Sequence, residues 1–82
     1  MNIYVANINF RAREEDLKEL FKQYGEVSSV KIVTDRDTGR SRGFGFVEMP
    51  NDAEAKQAIA QLNGFEFNQR NLVVNEARPP KG

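Results

Sequence analysis

The chain is 82 residues long, enough for one small domain around one core. It has neither Cys nor His, which excludes a disulfide framework and a Cys/His metal site and removes the commonest nucleophile and the commonest general base. Twelve basic side chains balance twelve acidic ones, so averaged charge argues against a polyanionic partner and the placement of charge has to decide.

Asn2 to Ala6 alternates around Ile3 and Val5 and is predicted as a first strand. Met1 leads straight into it, so no signal peptide is expected, and no apolar run approaches the roughly 20 residues that span a bilayer. After a loop over 7–13, Glu14 to Tyr24 reads as a helix, with Leu17, Leu20, Phe21 and Tyr24 at the spacing of one buried stripe. Its acidic first turn suits the positive end of the helix dipole. Its N-cap would be Arg13, a poor capping residue, and Gly25 would supply a left-handed stop. Val27 to Thr34 is predicted as a second strand, with Val30 and Ile32 facing the core and Lys31 and Val33 facing away.

Asp35 to Ser41 is polar and contains Thr38-Gly39, which marks a loop. Arg42 to Met49 is predicted as a third strand, broken by Pro50. Asn51 then has the character of an N-cap, with Glu54 completing a capping box. The helix it opens buries Ala55, Ala58, Ile59 and Leu62 and ends at Asn63-Gly64. Phe65 to Phe67 is expected as a short edge strand, Asn68-Gln69 as a turn, and Asn71 to Ala77 as the last strand with Leu72 and Val74 inward. Phe65 and Phe67 are expected to close the core near the second helix, and Phe10 to pack over the first.

This order, βαββαβ, defines an α+β, ferredoxin-like sandwich: a four-stranded antiparallel sheet with two helices on one face. One domain over 1–78 and a short tail over 79–82 are expected. The first and third strands are then central neighbours, and Tyr4, Phe44 and Phe46 meet on the face the helices leave open. A globular strand normally hides its Phe residues, so exposed rings call for a partner with flat faces, and unstacked bases are such a partner.

The segment Arg42-Gly43-Phe44-Gly45-Phe46-Val47-Glu48-Met49 fits the octamer K/R-G-F/Y-G/A-F-V-x-F/Y at every position but the last. Met49 departs on the core face, where packing rather than ligand contact is affected. Ile3-Tyr4-Val5-Ala6-Asn7-Ile8 is similar to the accompanying hexamer, with Tyr4 at its aromatic position about 40 residues upstream. The chain thus resembles the RNA recognition motif family over nearly its whole length, most of all the short stand-alone bacterial members and the plant glycine-rich and cold-inducible groups. The signs of this subgroup are the start directly in the first strand, the 35–41 loop and the ending Asn75-Glu76-Ala77-Arg78-Pro79. Those groups often carry a Gly- or Arg-rich tail, which these 82 residues do not include.

The resemblance implies single-stranded RNA as partner, in RNA metabolism, chaperoning or regulation. Bases would stack on Tyr4, Phe44 and Phe46. Arg42 would contact phosphate or brace the strand, and Arg40 in the adjoining loop would do likewise. Lys31 projects onto the same face, where its stem can lie along a base while its ammonium reaches phosphate or a base edge. The Asn2 amide, one pleat before Tyr4, is placed to bond a base edge. Asn75, Ala77 and Arg78 match the stretch with which the family reads bases, and Val73 shares their face while Glu76 points away. Arg36 lies between Asp35 and Asp37, where a local ion pair competes with a ligand contact.

Gly43 and Gly45 lack G-x-G-x-x-G spacing and open no helix, so no dinucleotide site is expected. The acyl-phosphate hydrolases of this fold use a Gly-rich loop after the first strand, where Asn7-Ile8-Asn9-Phe10 has no Gly, and its metal carriers use C-x-x-C. No catalytic constellation, cofactor or metal is expected. The competing readings are a protein-interaction module of the same fold and a general binder of single-stranded nucleic acid, DNA included. A cytoplasmic monomer is the expected setting.

Overall fold

A computed structural model of the chain describes residues 1–9, 11–35, 37–39 and 41–77, without the side chains of Ser41 and Arg42. The expectations for Phe10, Arg36, Arg40, Arg78 and the tail lie outside the described residues.

The elements are β1 (Asn2–Ala6), α1 (Glu14–Lys22), β2 (Ser29–Thr34), β3 (Ser41–Glu48), α2 (Asp52–Leu62), β4 (Glu66–Phe67), β5 (Arg70–Asn71) and β6 (Val73–Glu76). Strands β2, β3, β1 and β6 form one sheet in that order, antiparallel throughout. The inward residues Ile3, Val5, Ile32, Val47 and Val74 meet Leu17, Leu20 and Phe21 of α1 and Ala55, Ala58 and Leu62 of α2 in a single buried cluster. Met49 and Leu72 join it, and Tyr24, Val30 and Ile59 pack against it half-buried. The inward positions are those that the alternation assigns, because the two helices cover one face of the sheet only.

Local chemistry explains most element ends. Arg13 is the N-cap of α1, and its side chain contributes no cap. The end is closed from the other side: the Asp16 carboxylate accepts from the Arg13 backbone N–H at 3.0 Å. At α2 the Asn51 side chain accepts from the Glu54 N–H at 3.0 Å, the expected N-cap bond. The expected return bond from the Glu54 side chain gives way to another. The Glu54 carboxylate reaches the backbone N–H of Glu26 at 3.4 Å, tying α2 to the turn after α1.

That contact also corrects the expectation for Gly25, whose φ is not positive. α1 ends instead through tight-turn bonds, with the N–H of Tyr24 on the Phe21 carbonyl and that of Gly25 on the Lys22 carbonyl. A Cβ at Gly25 would run into the Glu54 side chain. Glycine is therefore required there by close approach rather than by backbone handedness. The left-handed glycine that follows a helix is Gly64, at φ 87° after α2.

The last third of the chain departs most from expectation. Phe65 to Phe67 does not edge the main sheet, and Asn71 to Ala77 is not one strand. Instead β4 and β5 pair with each other as a small hairpin, Glu66 opposite Asn71 and Phe67 opposite Arg70. Asn68 and Gln69 turn it with φ of 50° and 67°. Leu72 interrupts the strand because its N–H donates to the Phe65 carbonyl and its carbonyl accepts from Gly64 N–H. The chain rejoins the sheet at Val73. Phe67 packs half-buried against the core, whereas Phe65 is 44% exposed and closes nothing.

Candidate nucleic-acid interface

The open face of the sheet is built by register. Tyr4 stands directly opposite Phe46 on one side and Asn75 on the other, and Phe46 stands opposite Lys31. Lys31, Phe46, Tyr4 and Asn75 thus form one row across all four strands. A second row runs through Phe44, Ala6 and Val73. A third runs through Ser29, Glu48 and Asn2. Ala77 extends this third row, its N–H donating to the Asn2 carbonyl at 2.8 Å.

The three rings form a closed triangle. Their centroids lie 6.1 Å apart for Tyr4–Phe44, 5.8 Å for Tyr4–Phe46 and 6.4 Å for Phe44–Phe46. The two Tyr4 pairs are tilted at 39° and 56°, and the phenyl pair meets edge to face at 89°. These are the favoured arrangements of ring quadrupoles, so the rings brace one another. They do not stack face on face, and that leaves ring surface open. Phe46 is 38% exposed, while its neighbours along the strand, Gly45 and Val47, are buried.

Two glycines make this geometry possible. A Cβ on Gly45 would strike the Lys31 carbonyl, so glycine lets β2 lie close enough for Lys31 to face Phe46. Gly43 has φ of 84°, in the stretch where the pairing of β2 with β3 slips between Ile32 and Thr34. Its carbonyl accepts from the N–H of Ile8 at 2.8 Å, fastening the loop after β1. The Arg42 side chain, expected beside Phe44, lies outside the described residues, as do Arg40 and Arg78.

Of the other expected site residues, Asn2, Lys31 and Asn75 are exposed on the open face. Ala77 is half-buried, with its N–H committed to the Asn2 carbonyl. Two further residues of this face carry no expected ligand role. Val73 is 42% exposed beside the rings, adding apolar surface to them. Glu48 puts a carboxylate there, as its even spacing from Phe44 and Phe46 requires. Behind the sheet, Glu14, Glu15, Asp16 and Glu19 are exposed along α1. These four carboxylates lie on the helical side, with the exposed Lys18 and Lys22 on the same helix.

The family model that matches the chain is that of the RNA recognition motif, over residues 3–73. The protein RbpD of Nostoc sp. strain PCC 7120 is 54% identical over 79 residues, covering 96% of this chain and 84% of that protein. The crystal structure of RNA-binding protein PG1 superposes with a TM-score of 0.92 at 56% identity, covering 99% of each chain. A structure of the Rna15 RRM with bound RNA (GU) superposes with a TM-score of 0.85 at 28% identity, over 95% of this chain and 83% of that one.

Proposed function

The chain belongs to the RNA recognition motif family, and from that premise we propose that it binds single-stranded RNA on the open face of its sheet. The observation that carries this reading is the row Lys31–Phe46–Tyr4–Asn75: a cation, an exposed ring, a half-buried ring and an amide in line across four strands. Bases stack on Tyr4, Phe44 and Phe46, each worth about 1–3 kcal/mol. Lys31 supplies the charge beside the stack, and Asn2 and Asn75 offer amides to base edges. Arg40 and Arg42 meet the phosphates, and Ala77 and Arg78 join Asn75 in the stretch that reads bases. The domain over 1–78 binds as a monomer, because one strand of RNA needs only one sheet face, and the cytoplasm is its setting. The role is binding without catalysis, in RNA handling or regulation. Among the described residues no helix is long and apolar enough to cross a membrane.

The test is a titration of labelled single-stranded RNA with wild type and the double variant Phe44→Ala/Phe46→Ala. The variant is expected to stay folded, by circular dichroism, and to lose detectable binding. A folded double variant with wild-type affinity would remove the reading. The same titration with DNA of matching sequence measures what the sugar contributes.

A further inference from the structure

Glu48 is the anomaly of the open face. Its side chain lies one pleat beyond Phe46 on the same face, directly opposite Asn2 on β1 and Ser29 on β2. It is exposed, and it is held in place. The Ser28 hydroxyl sits 3.1 Å from Glu48 Oε1 and 3.2 Å from the Glu48 carbonyl, and the Ser28 N–H donates to that carbonyl at 2.8 Å. The face therefore carries, next to its aromatic row, a polar row whose centre is an oriented carboxylate flanked by an amide.

A carboxylate is unwelcome where phosphates pass, since it repels them. It is an acceptor only, with two oxygens spaced to take two parallel N–H groups. Among the four bases, guanine alone presents two adjacent donors on its Watson–Crick edge, N1–H beside the N2 amino group. Uracil has one imide N–H between two carbonyls, and cytosine and adenine each have an amino group next to a ring acceptor. A base that stacks on Phe46 with its edge toward Glu48 meets that carboxylate in the plane of its donors. Asn2, opposite in the pairing, is near enough to serve the same base through its amide.

We propose that Glu48, oriented by Ser28 and flanked by Asn2, is a guanine-selecting subsite at the edge of the aromatic platform. The inference rests on the reading of the open face as the RNA site and adds base choice to it. Glu48 accepts from N1–H and N2–H of guanine, and the same charge turns away bases that bring a carbonyl to this position.

The experiment compares three short RNAs of equal length, uridine-rich with a single guanosine, inosine or uridine at the centre. Inosine keeps N1–H and O6 and lacks only the N2 amino group. Wild type is expected to prefer guanosine over inosine by about tenfold, the loss of one hydrogen bond to a charged acceptor. In Glu48→Gln the side-chain amide pairs with N1–H and O6, which both bases carry, so the preference should fall to about one. Binding of the all-uridine RNA should stay the same or tighten as the charge is removed. Equal wild-type affinity for guanosine and inosine, or an unchanged ratio in Glu48→Gln, would overturn the inference. Phe46→Ala run alongside separates the two levels. If it loses affinity for all three RNAs while wild type shows no preference, the platform stands and the guanine subsite falls. If it binds all three as wild type does, the platform itself is wrong.

Discussion

Phe46 keeps more than a third of its surface in solvent while Gly45 and Val47, its neighbours in the chain, are buried. Removing its ring should therefore cost the fold little and the ligand much. Phe46→Ala is expected to weaken single-stranded RNA binding by about 1–3 kcal/mol, with the melting temperature nearly unchanged; isothermal titration and a thermal melt check both halves. Gly45 is its counterpart, with no ligand role and a steric one. Gly45→Ala pushes a methyl group into the Lys31 carbonyl and the Ile32 Cα. The expected result is a loss of about 1–3 kcal/mol in stability, read by urea unfolding. Both backbones at that contact are held in the ladder, so neither yields cheaply.

At the level of elements, the functional surface depends on the register of β3. Val47 is fully buried opposite Ile3 and Val30. Val47→Asp puts an unpaired carboxylate there, at a cost of several kcal/mol, and is expected to leave the chain unfolded at room temperature by circular dichroism. A folded, RNA-binding Val47→Asp protein would mean a register one residue off, and the same slip would turn Phe44 and Phe46 inward. The β4–β5 hairpin carries a different kind of strain. Gln69 sits at φ 67°, a region that costs a side chain with a Cβ about 1 kcal/mol. Gln69→Gly should relieve it and raise stability by up to about that amount, measured as an upward shift of the urea midpoint with an unchanged slope.

For the whole molecule, zero net charge means that attraction to RNA comes from how charge is distributed. The exposed carboxylates of α1 lie on the helical side, and Lys31 lies on the open side. Salt dependence should accordingly be shallow and should report individual phosphate contacts. If Arg42 is one of these, Arg42→Ala weakens binding to every sequence alike and reduces the log–log salt slope by about 0.7. An unchanged slope would move Arg42 off the phosphates, and a loss confined to one sequence would make it a base reader.

What the sequence determined by itself was everything that depends on neighbours in the chain. The period of two in Ile3-Tyr4-Val5 and Phe44-Gly45-Phe46-Val47 separated inward from outward residues. The period of three to four did the same for Leu17, Leu20 and Phe21, because side-chain direction follows from local backbone geometry. The octamer and hexamer named the aromatic face for the same reason. The element order also brought Tyr4, Phe44 and Phe46 together, whereas the residue-by-residue register across the strands was decided by the tertiary structure alone. The row Lys31–Phe46–Tyr4–Asn75 needs a register set by the bulge at Gly43 and the close approach at Gly45. The interrupted last strand needs Leu72 to bond with Phe65 and Gly64 rather than with β1. Likewise Glu54 leaves its own helix end for Glu26, and Gly25 is glycine because Glu54 passes over it. In each case a group takes a partner other than the one its neighbours in the chain suggest. The choice falls to contacts between segments far apart in the chain, which no local pattern records.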